Sequence, residues 1–168
     1  MKITFGIALF LALVAPAAGE PNWASARLER ALAAYEKGDY AAAQRSFQRL
    51  SEHGSAVAET MLGVMYSTGR GVPVNHAVAA AWFRRAASRG YGPAQVALSD
   101  AFVHGHGVAK DTRAAFFWAL TATVGGDRSA ETSGRARARK LAELIPSDER
   151  EEIAENVRNW RPRAQRQR

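Results

Sequence analysis

The sequence contains no cysteine. That removes disulfides and thiol chemistry, so packing alone must hold the fold together. Proline is scarce, six in 168 residues, and 47% of the chain is hydrophobic, a balance that suits one compact domain and not a disordered polymer. No apolar run reaches the roughly 20 residues that a spanning helix needs. The longest, Ile3 to Val14, follows Lys2 and precedes Ala15-Pro16-Ala17, a small-x-small cleavage pattern. Residues 1–17 therefore read as a secretory signal peptide, with an uncleaved N-terminal anchor as the alternative. The expected location is outside the cytoplasm, periplasmic or secreted.

Acid is lacking at the other end. Residues 158–168, RNWRPRAQRQR, hold five arginines and no Asp or Glu, while the formal charge of the whole chain is +7. Arg135, Arg137, Arg139 and Lys140 precede Asp148, Glu149, Glu151 and Glu152, so those charges can offset one another locally. The tail, residues 161–168, has no such complement.

What the sequence does have is a period. Residues 54–90 laid over 90–126 pair Ala58 with Ala94, Leu62 with Leu98, Tyr66 with Phe102, Gly69 with Gly105 and Gly71 with Gly107. The series continues through Val72 and Val108, Asn75 and Asp111, Trp82 and Trp118, Ala86 and Ala122, and Gly90 and Gly126, always 36 apart. A fixed period of this size marks a stack of supersecondary units.

Each unit parses as a helical hairpin. Ala58, Met61, Leu62, Met65 and Tyr66 recur at three- and four-residue steps, one face of a helix. The loop GRGVPV follows, and Asn75 is placed to cap a second helix that carries Ala79, Trp82, Phe83 and Ala86 inward and stops at Gly90. In the next unit Asp111 is the cap, Phe117, Trp118 and Ala122 face inward, and Gly125-Gly126 is the stop. Residues 22–54 give a further helix pair turning at Gly38-Asp39, and residues 127–160 a capping pair about Pro146, with Ser147 placed to cap its last helix. The expected fold is all-α: a right-handed α-solenoid of antiparallel helix pairs, residues 22–54, 55–90, 91–126 and 127–160.

The pattern A-x3-L-G-x2-Y-x2-G-x-G-V-x2-N followed by A-x-W-F-x2-A-A-x2-G, from Ala58 through Gly63 to Gly90, resembles the Sel-one-like repeat, a relative of the tetratricopeptide repeat. The second unit departs at Ser99, Phe102 and Thr123, where the pattern has glycine, tyrosine and alanine. The resemblance implies a protein-interaction scaffold, often in bacterial envelopes, and not an enzyme. Without cysteine the chain falls outside the disulfide-tied members of that family.

The chemical candidates weaken against this register. His104 and His106 in HGHGV are spaced as a metal pair, yet they occupy the slots of Thr68 and Arg70, variable positions between fixed glycines. GRG and GHG follow a helix, not a strand, and no GK[ST] accompanies them, so they are not phosphate loops. They fit positive-φ turns or close backbone approach. His53 and His76 lie at helix ends, no G-x-S-x-G elbow occurs, and Glu151 and Glu152, being successive on a helix, diverge. No catalytic residue, cofactor or metal is expected. Trp82 and Trp118 recur at one slot and read as core; Trp23 and Trp160, at the two ends, read as caps or as partner anchors.

Partner-binding positions are expected on the first helix of each pair, where residues not used in packing face the groove: Thr60, Val64 and Ser67, then Val96, Asp100 and Val103. Trp160, Arg161 and Arg163 are added at the C-terminus. The expected partner is another envelope protein or a peptide segment of one, which leaves open a scaffold or a regulator that restrains a membrane sensor. An anionic cell-wall polymer or membrane surface, held by the Arg tail, is the alternative. Export argues against nucleic acid.

Overall fold

A computed structural model of the chain describes residues 22–163. The expected signal peptide, residues 1–17, lies outside the described residues, as do residues 164–168 of the tail and the side chain of Trp23. Eight helices follow one another, and no strand occurs among the described residues: α1 Asn22–Glu36, α2 Tyr40–Glu52, α3 Ala56–Thr68, α4 His76–Ser88, α5 Gly92–His104, α6 Thr112–Thr121, α7 Arg128–Ala142 and α8 Ser147–Asn159.

Five of these helices start where a short polar side chain takes up a free backbone N–H. Asp39, Ser55, Asn75, Asp111 and Asp127 accept from the amides of Ala42, Ala58, Val78, Ala114 and Ala130. Ser147 does not cap α8; it is the helix's first residue, and Pro146 occupies the cap position with no side-chain bond. The loops of the two central units are superimposable in their bonding. The amides of Gly69 and Arg70 both donate to Met65 O, and that of Asn75 to Tyr66 O; the amides of Gly105 and His106 donate to Ala101 O, and that of Asp111 to Phe102 O.

Each hairpin, α1 with α2, α3 with α4 and α5 with α6, packs on the next, giving an α-solenoid. Small residues allow the approach: Ala43, Ala58, Ala86, Ala87, Ala94, Ala115, Ala119 and Ala122 are fully enclosed. Phe47, Leu62, Met65 and Leu98 fill the remaining volume, each contributing about 1.5–3 kcal/mol by leaving water. The C-terminal pair differs. α7 packs on α5 and α6 and α8 packs on α6, and Ala138, Leu141 and Ile153 of the pair meet Phe116 and Ala119 of α6 in one cluster, so the two helices close the stack mainly through α6.

Two details of the second unit depart from the sequence expectation. The buried stripe of α6 is Ala115, Phe116 and Ala119, continued by Ala122, so Phe116 enters the core and Phe117 stands half-buried at its edge. α6 also ends at Thr121, short of Gly125-Gly126. There Thr121 and Thr123 turn their hydroxyls onto Phe117 O and Leu120 O, the local bonding that β-branched hydroxyl residues use in competition with helix propagation.

Candidate interaction surface

The fixed glycines join one repeat to the previous one. Gly71 and Gly107 both have φ of +76°, and a Cβ on Gly71 would come within 2.4 Å of Tyr40 Cβ, while one on Gly107 would come within 2.0 Å of the His76 carbonyl oxygen. Tyr40 and His76 each open the second helix of the preceding unit. The glycines therefore meet both demands expected of them, left-handed backbone and close approach.

The residues between them are not mere solvated decoration. Arg70 donates to the Tyr35 hydroxyl at 2.9 Å and lies over that ring, which meets Tyr40 edge-on. At the equivalent place His106 stacks on His76, ring centroids 5.0 Å apart, and His104 lies 5.4 Å from His106. Sequence spacing hid His76 from this group, because it belongs to the unit before. All three imidazoles are exposed, and no set of three or more histidine or carboxylate groups among the described residues is arranged to hold a metal.

Of the positions expected to face a partner, some remain available. Val64, Ser67, Val96 and Val103 are half-buried, with Val64 and Val103 packed on the edges of the hydrophobic clusters. Thr60 leaves the set: it is buried, with its hydroxyl donated to Ala56 O. Asp100 leaves it too, held by the guanidinium of Arg137 through two bonds of 2.6 Å that tie α5 to α7. Trp160 is half-buried with its ring edge-on to Trp118 at 6.2 Å, and Pro162 rests on Gly90, so the segment after α8 folds back over the ends of α6 and α4. Arg161 bonds the carbonyls of Arg158 and Trp160. Arg163 is exposed. Trp82 and Trp118 are half-buried packing residues rather than enclosed core.

One constellation escaped the sequence reading. Glu59 on α3 is fully buried and ionically paired with Arg85, whose Nη2 lies 3.0 Å from Oε1, and with Arg89, whose Nε lies 3.2 Å from Oε2. Arg85 also lies over the Trp82 ring at 4.6 Å. The signal was present as a set of joint changes: at the offset of 36, Glu59, Arg85 and Arg89 become Gln95, Thr121 and Gly125.

A family model, Sel1 repeat, matches residues 56–91 and 92–123. A Sel1 repeat protein from Oxalobacter formigenes is 32% identical to this chain, with a TM-score of 0.57 and 67% of this chain and 88% of that one covered. The chain belongs to the Sel1 repeat family. The same fold is seen in a protective antigen present in uropathogenic Escherichia coli strains displaying an SLR fold, at 22% identity and a TM-score of 0.73 over 83% of this chain. This chain spans 30% of that structure's length. No curated protein matches. Sel1 repeats generally mediate protein–protein interaction, and their solenoid is typically a non-catalytic scaffold.

Proposed function

We propose that this Sel1 repeat protein is an exported interaction module that binds another protein of the cell envelope through the first helices of its central units. The observation that carries this reading is the division of labour between positions. The repeated landmarks are used in loops, caps and inter-repeat packing, whereas Val64, Ser67 and Val96 stay half-exposed on α3 and α5, the first helices of the two central units. Apolar side chains kept partly in water on a rigid stack suit a short peptide or one face of a partner domain. Lys2, the apolar run to Val14 and Ala15-Pro16-Ala17 support export. Among the described residues no helix is long and apolar enough to cross a membrane.

Capture from envelope extract tests the proposal. The wild-type protein is expected to retain a discrete partner that the doubly substituted Val64→Lys, Val96→Lys protein loses while keeping its helical circular dichroism. Equal capture by both would overturn it. The arginine-rich tail supports a second reading, an anionic polymer as ligand. Because Trp160 and Pro162 are packed, removing residues 164–168 is the clean test: the polymer reading requires salt-dependent binding to fall with the truncation.

A further inference from the structure

We propose that Arg85 and Arg89, held by buried Glu59, form a docking point for an acidic segment of the partner protein. The inference rests on the protein-binding reading above and adds to it the charge and position of one contact.

A buried carboxylate paired with guanidinium groups is costly to desolvate and weak as a source of stability. The fold has no need of it here, because the second repeat carries Gln95, Thr121 and Gly125, all without charge, at the corresponding sequence positions, with Gln95 bonded to Ala87 O and Thr121 to Phe117 O. What the ionic version does provide is two arginines fixed at the surface. Glu59 is wholly enclosed, while the side chains of Arg85 and Arg89 are 46% and 38% exposed. One carboxylate faces two guanidinium groups, so the cluster carries a net positive charge.

The geometry leaves donors unspent. Arg89 commits Nε to both oxygens of Glu59; its terminal nitrogens lie beside Gly54 and have no hydrogen-bond partner among the described residues. Arg85 commits Nη2 to Glu59 and Ser51 O, with its plane over Trp82. Each side chain is thus anchored through Glu59 while part of it stays in solvent with donors unspent, the condition under which a guanidinium accepts a carboxylate with little further loss of freedom. Arg85, in the last turn of α4, and Arg89, the residue that caps its C-terminus in still-helical backbone, are four residues apart and so lie roughly 6 Å apart along one face. That spacing suits one or two neighbouring carboxylates at a discrete point, whereas a long polyanion needs an extended rail of cations. Charge complementarity and the protein-binding habit of the repeat therefore favour an acidic peptide.

Fluorescence anisotropy on the mature protein tests this, with a labelled peptide carrying a Glu-Glu pair among uncharged residues and a Gln-Gln counterpart. Wild type is expected to prefer the Glu-Glu peptide by at least about tenfold, with a preference that falls as salt is raised. The triple variant Glu59→Gln, Arg85→Thr, Arg89→Gly copies the neutral arrangement of the second repeat and is expected to fold, checked by circular dichroism, and to lose that preference. Glu59→Gln alone frees the two arginines and is expected to weaken binding severalfold. Equal binding of both peptides by wild type would overturn the proposal, as would an unchanged preference in the triple variant. Linear polyphosphate that bound more tightly than the peptide, with the same dependence on the arginines, would replace the peptide by a phosphate polymer. The valine substitutions used for capture leave this cluster intact. Retained capture with failed peptide binding would therefore sink this inference alone.

Discussion

In the repeat of residues 55–90, Gly63 lies under the ring of Phe83, so close that a Cβ would stand 2.5 Å from the ring's edge. In the repeat of residues 91–126, Ser99 takes the glycine's slot and Ala119 the phenylalanine's, and the Ser99 hydroxyl bonds Ala115 O. The missing phenyl volume returns one turn earlier, at Phe116, where the first repeat has Ala80. The ionic cluster changes as a set in the same way. Two interiors thus support one hairpin frame, its second helix three residues shorter in the later repeat, which teaches that the period is carried by loops and caps while the core is free to trade volume and charge in matched groups.

The loop glycines should then be the least exchangeable residues in either repeat. Gly107→Ala places a Cβ in left-handed backbone against the His76 carbonyl, and backbone cannot step aside as a side chain can. A loss of about 4 kcal/mol is expected in urea denaturation, the strain and overpacking costs together. Gly38→Ala, also at positive φ but with nothing within 4 Å, should cost only about 1 kcal/mol. Equal losses at the two would show that the inter-repeat contact does not matter.

Next come the ionic positions. Replacing both Arg85 and Arg89 by alanine strands a buried carboxylate, and about 3 kcal/mol should be lost, the low end for a broken buried pair because both arginines are part-exposed. Adding Glu59→Gln should recover most of that loss. The recovery need not be complete, since Gln95 itself keeps Oε1 without a partner in the corresponding place. Failure of the glutamine to rescue would break the equivalence between the two interiors.

The packing exchange has a coupling of its own. Gly63→Ser should cost about 2 kcal/mol by overpacking against Phe83, and Phe83→Ala about 3 kcal/mol by the cavity it leaves. Together they place the residue types of Ser99 and Ala119 in the first repeat but keep Ala80 where the second has Phe116; with the ring gone the serine no longer overpacks, so the double variant should be more stable than the sum of the singles by at least about 1 kcal/mol. Strict additivity would mean that the two differences between the repeats arose independently of one another.

These groups also mark how far the sequence could be read. The period, the hairpins, the caps Asn75 and Asp111 and the glycine turns were legible because each is a local demand, answered within a few residues. Glu59 was not, because an acid on a helix reads as solvated until the arginines of the next helix are seen to cover it. Asp100 looked free for the same reason, its partner lying on α7. His76 was separated in sequence from the two histidines it meets, and one residue of phase decided between Phe116 and Phe117. Among the surface positions, Thr60 failed because the polar character of its hydroxyl is satisfied by its own helix.

The caps give the smallest effect and the sharpest control. Asn75 and Asp111 have nearly the same extended backbone, φ of −149° and −150°, and bond the amide three residues on at 3.0 and 2.9 Å. Both are exposed, so neither draws on the interior that distinguishes the repeats. Substitution by alanine should therefore cost about 1 kcal/mol at either site. Aspartate adds a charge at the positive end of α6 that asparagine lacks at α4, which should make the Asp111 loss larger by about 0.3–1 kcal/mol at low ionic strength. Added salt should bring the two values together. If a difference persisted in high salt, the caps too would depend on the interiors behind them, and the separation of a common frame from exchangeable cores would fail at the positions where it is expected to be cleanest.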